Sequence, residues 1–302
     1  TGKLAKLLSE FGGSDVTDKV RKKATAPVAG RKEEISDLIN IMLQRDNPFA
    51  LLSGEEKVGK STIITGLAER IVSGDVPQRL KEARIFSLSL ESLIYECQAR
   101  SGPMGGPQPQ DVLRTILEET AAYNEGGKGR VILHIEDAGV DAEKSSPVIK
   151  QLISMMRGSM AFTMKDNGTN LNVVLELPEQ HLETIKNTDS ALLKNVAAVQ
   201  VKPLPKEDVL TVLKYQTAKL ETYHNVKLPD DMLEYIIKKT DKFMPTQQQP
   251  AKAMAVLDSA LARAEAEGKK TIVDDDVDTI IATRANLPKS FVGSEVSERI
   301  DT

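Results

Sequence analysis

The sequence predicts an α/β fold: a mostly parallel sheet sandwiched by helices, followed by a small all-helical lobe. Three observations carry this expectation. Short apolar, strand-like runs alternate with helix-like segments up to about residue 202. A glycine-rich loop follows one of those runs directly. After Pro203 the strand pattern stops, and only segments of helical period remain.

Residues 1–26 are basic and partly amphipathic, broken at Gly12-Gly13, and are expected as an N-terminal linker segment. In residues 33–45, Ile35, Leu38, Ile39, Met42 and Leu43 share one helical face. Phe49-Ala50-Leu51-Leu52 is a short strand candidate, and a helix is expected from about 60 to 73, ending at Gly74-Asp75-Val76-Pro77. Residues 84–90 alternate as a strand does. The stretch 101–110, SGPMGGPQPQ, reads as a loop. A helix over 111–123, strands at 130–135 and 171–177, and a helix at 146–156 complete the first lobe, 27–202. Residues 206–222, 230–240, 250–267 and 274–285 are helix-like and make up a lid-sized lobe, 203–287, with a linker tail at 288–302. The acids of Asp230-Asp231 and Asp274-Asp275-Asp276 suit the positive ends of helices.

At 302 residues the chain can bury a sizeable core, and its 40% hydrophobic and 28% charged residues are those of a soluble globular protein. A net charge of −4 gives no footprint for nucleic acid, and aromatic residues are too few for base-stacking platforms. No apolar run is long enough to span a bilayer. Cys97 is the single cysteine, which excludes an internal disulfide and fits a reducing, cytoplasmic compartment. The three histidines, His134, His181 and His224, lack ligand-like spacing, which argues against zinc. The chain begins without Met and reads as a fragment.

The loop after the 49–52 strand is GEEKVGKST, residues 54–62, and satisfies G-x-x-x-x-G-K-[ST] through Gly54, Gly59, Lys60 and Ser61. Glycines let successive backbone N–H groups turn towards phosphate oxygens, and the following helix N-terminus adds positive potential. In this motif Lys60 reaches the β- and γ-phosphates and the Ser61 hydroxyl ligates Mg²⁺. A chance match arises about once in a hundred chains of this length. The expected ligand is therefore ATP or ADP with Mg²⁺, held by Gly54, Glu55, Glu56, Lys57, Val58, Gly59, Lys60, Ser61 and Thr62. Glu55 and Glu56 oppose phosphate unless they point outward. Further on, RVILHIEDAG (130–139) runs apolar residues into Glu136 and Asp137, as a strand does when it carries a magnesium ligand and a catalytic base.

Beyond these residues the chain resembles the first ATPase module of the Clp-type AAA+ unfoldases, the ClpA/ClpB/ClpC group, over nearly its whole length. The resemblance rests on DVTDKVRKKATAPVAGRKEEI (15–35), on GLAERIVSGDVPQRLKEARIFSLSLESL (66–93) after the phosphate loop, and on VILHIED. It continues in QPAKAMAVLDSALARA (249–264) and DDDVDTIIATRANLP (274–288). It implies a ring-forming P-loop AAA+ module with a helical lid, nucleotide held between the two, and a homo-hexamer in the full-length protein. It also implies that Val28 and Ala29 sit at the adenine, that Glu136 and Asp137 serve Mg²⁺ and the attacking water, and that Lys252 lies at or near the lid residue facing the nucleotide. The alternative for Lys252 is a solvated helix lysine.

The departures from the family pattern fall on the catalytic parts. The acid pair is in reversed order, and Asp137 is one methylene shorter than the usual base, so its reach towards water is reduced. Where the family offers two arginines to a neighbour's nucleotide, this chain has Lys194 and Asn195; an arginine finger is worth about 10³–10⁵ in rate. The strand 171–177 ends in Glu176 and Leu177 where the family has threonines. The pore-loop tyrosine aligns with Ala99, and nearby Tyr95 is expected as a packed helix residue.

Three readings follow. The first is a module that binds Mg-ATP with weak or absent hydrolysis and serves assembly or remodelling of a protein complex. The second is an active ATPase that unfolds or disassembles proteins in quality control or secretion. The third is an interaction module with a vestigial nucleotide site, using loop 100–110 and the basic run 19–23 as contact surfaces. Under any of them, loss of the paired arginines removes one inter-subunit contact, so the isolated piece is expected to be monomeric.

Overall fold

A computed structural model of the chain describes residues 2–23, 25, 28–44, 49–102, 105–125, 130–136, 171–189 and 196–293. The chain divides into two units. The first comprises residues 1–25, 31–55 and 59–202; the second takes in 26–30, 56–58 and everything from Pro203 onwards. The expected helix at 146–156 lies outside the described residues.

The first unit is built on a six-stranded sheet. Its strands are β1 (Ser14–Asp15), β2 (Phe49–Gly54), β3 (Arg84–Ser89), β4 (Val131–Glu136), β5 (Asn172–Pro178) and β6 (Ala197–Gln200), ordered β1-β3-β4-β5-β2-β6. Every pairing is parallel except β1 with β3. The central strands are buried along almost their whole length, as strands covered on both faces must be. In register, Glu136 of β4 stands beside Glu176 of β5, and Glu176 beside Leu52 of β2. Side chains alternate across a strand, so one face of β4 and β5 presents Leu133, Ile135, Val173 and Leu175 to a large apolar core. The opposite face carries His134, Glu136 and Glu176.

Helices α1 (Gly2–Glu10) and α2 (Val16–Arg21) occupy the stretch expected as a linker. Leu4, Leu8 and Phe11 are buried in the sheet's core, Asp15 pairs with Arg84, and Thr17 Oγ1 accepts from Ile85 N–H at 2.8 Å. A basic composition reads as linker only until its apolar stripe finds a partner. Helices α3 (Lys32–Met42) and α4 (Lys60–Ser73) follow the expected periodicity, and α3 buries Ile35, Leu38, Ile39 and Met42. Gly74 ends α4 in the left-handed region, φ +79°, where only glycine sits without strain. Helices α5 (Leu90–Ala99), α6 (Pro109–Glu125) and α7 (Glu179–Asp189) complete the described parts of this unit.

In the second unit α8 (Lys206–His224), α9 (Met232–Phe243), α10 (Ala251–Ala266), α11 (Asp274–Ala285) and the short α12 (Lys289–Gly293) enclose a second apolar core. Asp276, fully buried, accepts from the Val273 N–H at 3.0 Å and from Lys269, satisfying the start of α11. Burial pushes the Asp278 carboxyl up, with the Tyr235 hydroxyl (2.8 Å) and Lys239 opposing the rise. Among the described residues no helix is long and apolar enough to cross a membrane.

Candidate functional site

The phosphate loop is set by its two ends. β2 delivers Gly54 at the end of a buried strand, and α4 starts six residues on with Lys60 as its first residue. Gly59, the residue before α4, has φ +103°, a conformation that L side chains avoid, and an added Cβ would lie 3.4 Å from Arg31 Nη2. Arg31 is itself buried and anchored by its guanidinium to the Lys202 carbonyl (2.6 Å) and to Glu34 (2.9 Å). The first turn of α4 has no acidic residue and no side-chain cap, so its N–H groups keep the character of an anion site. Lys60 is buried, and its Nζ donates to the carbonyls of Gly54 (2.9 Å) and Glu55 (2.8 Å), which arches the lysine over the loop. Glu55 and Glu56 are exposed, and their charge stands in solvent.

The strand ends below the loop carry a polar cluster inside the sheet face. Ser61 Oγ donates to Glu176 Oε2 at 3.1 Å. On the neighbouring strand, His134 is 1% exposed and stands between the two glutamates. Its Nδ1 is 2.8 Å from Ser87 Oγ and 3.5 Å from Glu136 Oε1, and its Nε2 is 3.3 Å from Glu176 Oε2. This last approach is close enough for Coulomb attraction but is not aligned as a full hydrogen bond. Ser87 Oγ also lies 2.7 Å from Glu136 Oε1. Burial tends to raise the Glu176 carboxyl, but His134, Lys60 and the Ser61 hydroxyl outweigh it and hold the group below its ordinary value. Glu176 is therefore ionised at neutral pH.

Of the residues expected at the site, Gly54, Glu55, Gly59, Lys60, Ser61, Thr62 and Glu136 belong to the α/β unit, whereas Val28, Ala29, Glu56, Lys57 and Val58 belong to the helical one. Asp137 and Lys194 lie outside the described residues. Ser61, expected to work with Glu136, is bonded instead to Glu176; Glu136 turns to Ser87. Lys252 is not a solvated lysine: it is 5% exposed, paired with Asp241 at 2.8 Å and 3.3 Å from the Met244 carbonyl. It lines a cleft of about 230 Å³ with Pro203, Leu204, Lys206, Val209 and Ile237.

Tyr95, expected to be packed, is 67% exposed on α5. Ala99 ends that helix, and Arg100 after it folds back over the Phe11 ring, 4.6 Å from its centroid. In the basic run 19–23, Lys22 pairs with Asp18 at 2.6 Å and Lys19 bonds Ser14 at 2.9 Å.

Ser61 and Glu176, a hydroxyl bonded to a carboxylate, are hard oxygen ligands that suit magnesium, and Glu136 is a second carboxylate at the adjoining strand end. Sequence reasoning did not give His134 or Ser87 a part here, because their partners lie on other strands. The signal available was local: His134 and Glu136 are two apart on a strand and so share its face.

Comparison with known proteins bears on the family and the fold. A family model described as an AAA lid domain matches residues 205–295. The chaperone protein ClpB 1 of Synechocystis is 29% identical over 88% of this chain and 28% of its own length. ClpB of Lactiplantibacillus plantarum is 30% identical over 84% of this chain and 28% of its own. The chain thus spans a little over a quarter of these relatives. Among solved structures, Hsp104 with ATPγS and casein superposes with a TM-score of 0.73 at 23% identity, covering 97% of this chain and 48% of that one. The Saccharomyces cerevisiae Hsp104–ADP complex gives 0.74 at 23% identity, with the same coverage. At that identity the likeness concerns the fold.

Proposed function

In sequence and fold this chain is a Clp-type AAA+ module, and on that footing we propose that it binds Mg-ATP, hydrolyses it slowly or not at all, and serves the assembly or remodelling of a protein complex. The observation that carries nucleotide binding is the phosphate loop itself: a buried strand, a left-handed Gly59, and Lys60 and Ser61 as the first two residues of an uncapped helix. Glycine geometry, helix N-terminus and ammonium supply a phosphate cradle. Magnesium, when bound, neutralises phosphate charge and fixes the phosphates' orientation; Ser61 would hold it, together with a carboxylate from the adjoining strand ends.

Weak turnover is supported by the strand ends. Leu177, fully buried, has no group to polarise water where the family has a threonine. Glu136 is engaged by Ser87, and a base must be within reach of its water. Lys194, where the family has an arginine, is a point charge without the planar fork. The presence of two carboxylates at adjoining strand ends favours a second reading, an active ATPase with an unorthodox base. In the longer protein we place the module in a cytoplasmic homo-hexamer acting on protein partners, with ATP or ADP as its ligand.

The test is steady-state ATP turnover across a wide protein concentration range, with magnesium-dependent ATP affinity on the same preparation and Lys60→Ala as control. Binding without turnover, lost in the control, is expected. Turnover that rises with concentration and vanishes in Lys60→Ala would establish the second reading. Equal affinity in wild type and Lys60→Ala would leave the nucleotide site vestigial.

A further inference from the structure

We propose that Glu176, on β5, is the magnesium-site carboxylate of this chain, orienting the Ser61 hydroxyl and making nucleotide binding magnesium-dependent. The inference rests on the nucleotide-binding reading above and deepens it. A hydroxyl has one proton to give and lone pairs to offer. With its proton committed to Glu176 Oε2, Ser61 Oγ turns its lone pairs away from the carboxylate, free for a cation. Partners that orient a ligand in this way are part of a metal site's design.

Three further observations single out Glu176 over Glu136. First, Glu176 is the acid that bonds Ser61, while Glu136 Oε1 is held by Ser87 on the far side of His134. Second, Glu176 stands on β5, which pairs directly with β2, the strand that delivers the phosphate loop, whereas Glu136 is on β4, one strand further away. Third, His134 comes closer to Glu176 (Nε2 to Oε2, 3.3 Å) than to Glu136 (Nδ1 to Oε1, 3.5 Å), and so bounds the Glu176 carboxylate on its β4 side.

The consequence follows from electrostatics. A largely buried carboxylate repels bare polyphosphate and attracts the phosphate-bound cation, and both effects are strengthened where water is scarce. Magnesium should therefore tighten nucleotide binding strongly, and Glu176 should carry most of that tightening. His134 is a positioning residue in this scheme.

The experiment measures ATP affinity in magnesium and in EDTA, and takes their ratio for wild type, Glu176→Gln, Glu176→Asp, Glu136→Gln, Ser61→Ala and the Ser61→Ala/Glu176→Gln double variant. Thermal melts of each variant report folding. Glu176→Gln is expected to lower the ratio about 10–100-fold, the range for loss of a metal-orienting partner. Glu176→Asp, which keeps the charge but draws the oxygen back from Ser61, should lower it less, and Glu136→Gln should lower it less than Glu176→Gln. The double variant should fall no further than Ser61→Ala alone, because the two residues act as one. A wild-type ratio in both Glu176 variants overturns the proposal, as does a Glu136→Gln loss at least as large or a multiplied loss in the double variant. Wild-type protein that binds nucleotide in neither condition would overturn both the proposal and the reading beneath it.

Discussion

Replacing His134 with leucine tests the buried polar cluster most directly. Leucine is of similar volume and removes both ring nitrogens. Ser87 keeps Glu136 as a partner, whereas Glu176 loses the group on its β4 side and retains Ser61 and the charge of Lys60. The variant gives up the 2.8 Å Ser87–His134 contact and the unaligned 3.3 Å approach to Glu176, a loss on the order of one ordinary hydrogen bond, about 0.5–1.5 kcal/mol. For a unit of this size that is a fall of roughly 1–6 °C in melting temperature. The sign of the pH dependence follows from Glu176. Its carboxyl in the folded protein is held below the ordinary 4.5, so its stabilising contribution is present above about 4.5 and is lost as pH falls through the lower folded value. In His134→Leu the carboxyl should move up, since burial then meets less opposition. The gap between wild type and variant should thus be largest near neutral pH and shrink below about 4.5. Urea unfolding of the α/β unit at several pH values between about 3.5 and 7.5 measures this gap. A gap that grows on acidification, or a variant as stable as wild type at pH 7, would refute the reasoning.

Three other outcomes are expected. Mg-ATP at about one hundred times its dissociation constant should stabilise the wild type by about 2.7 kcal/mol, and Lys60→Ala should abolish the shift in differential scanning fluorimetry. Burial alone would push His224 down, but Glu265 (2.8 Å) and Asp258 (3.1 Å) outweigh it and raise its value above 6.5. Its contribution is therefore full below about pH 6.5 and lost as pH rises through the raised folded value, a loss that His224→Gln should not show. Both acids are more than half exposed, so added salt should shrink the effect, and a salt-independent pH profile would count against it. Asp276→Ala removes the acceptor of the Val273 N–H and a partner of Lys269, and should destabilise the helical unit by about 1.5–3 kcal/mol in chemical denaturation.

What could be read from the residues alone was local or periodic. The bounds of α4 followed from Gly59-Lys60 at one end and Gly74 at the other, because left-handed glycine positions and helix ends are set within a few residues. The central strands declared themselves as apolar runs, and the change from alternating to all-helical pattern at Pro203 marked the helical unit. The motif at 54–62 is legible because it is written in consecutive residues.

Only the tertiary structure decided which acid serves Ser61. Residues 61 and 176 meet because β2 lies beside β5 in the sheet, a pairing that no local pattern specifies. The same holds for His134, which reads as an isolated histidine in the chain and becomes the bridge between Glu136 and Glu176 only when β3, β4 and β5 come into register. The N-terminal helices, Tyr95 and Lys252 make the same point: composition and sequence neighbours suggest one environment for each, and what packs against it decides whether it is buried or exposed. Propensity and motif act over one turn or one loop, whereas burial and side-chain partnership depend on strand order, and that is settled by the fold as a whole.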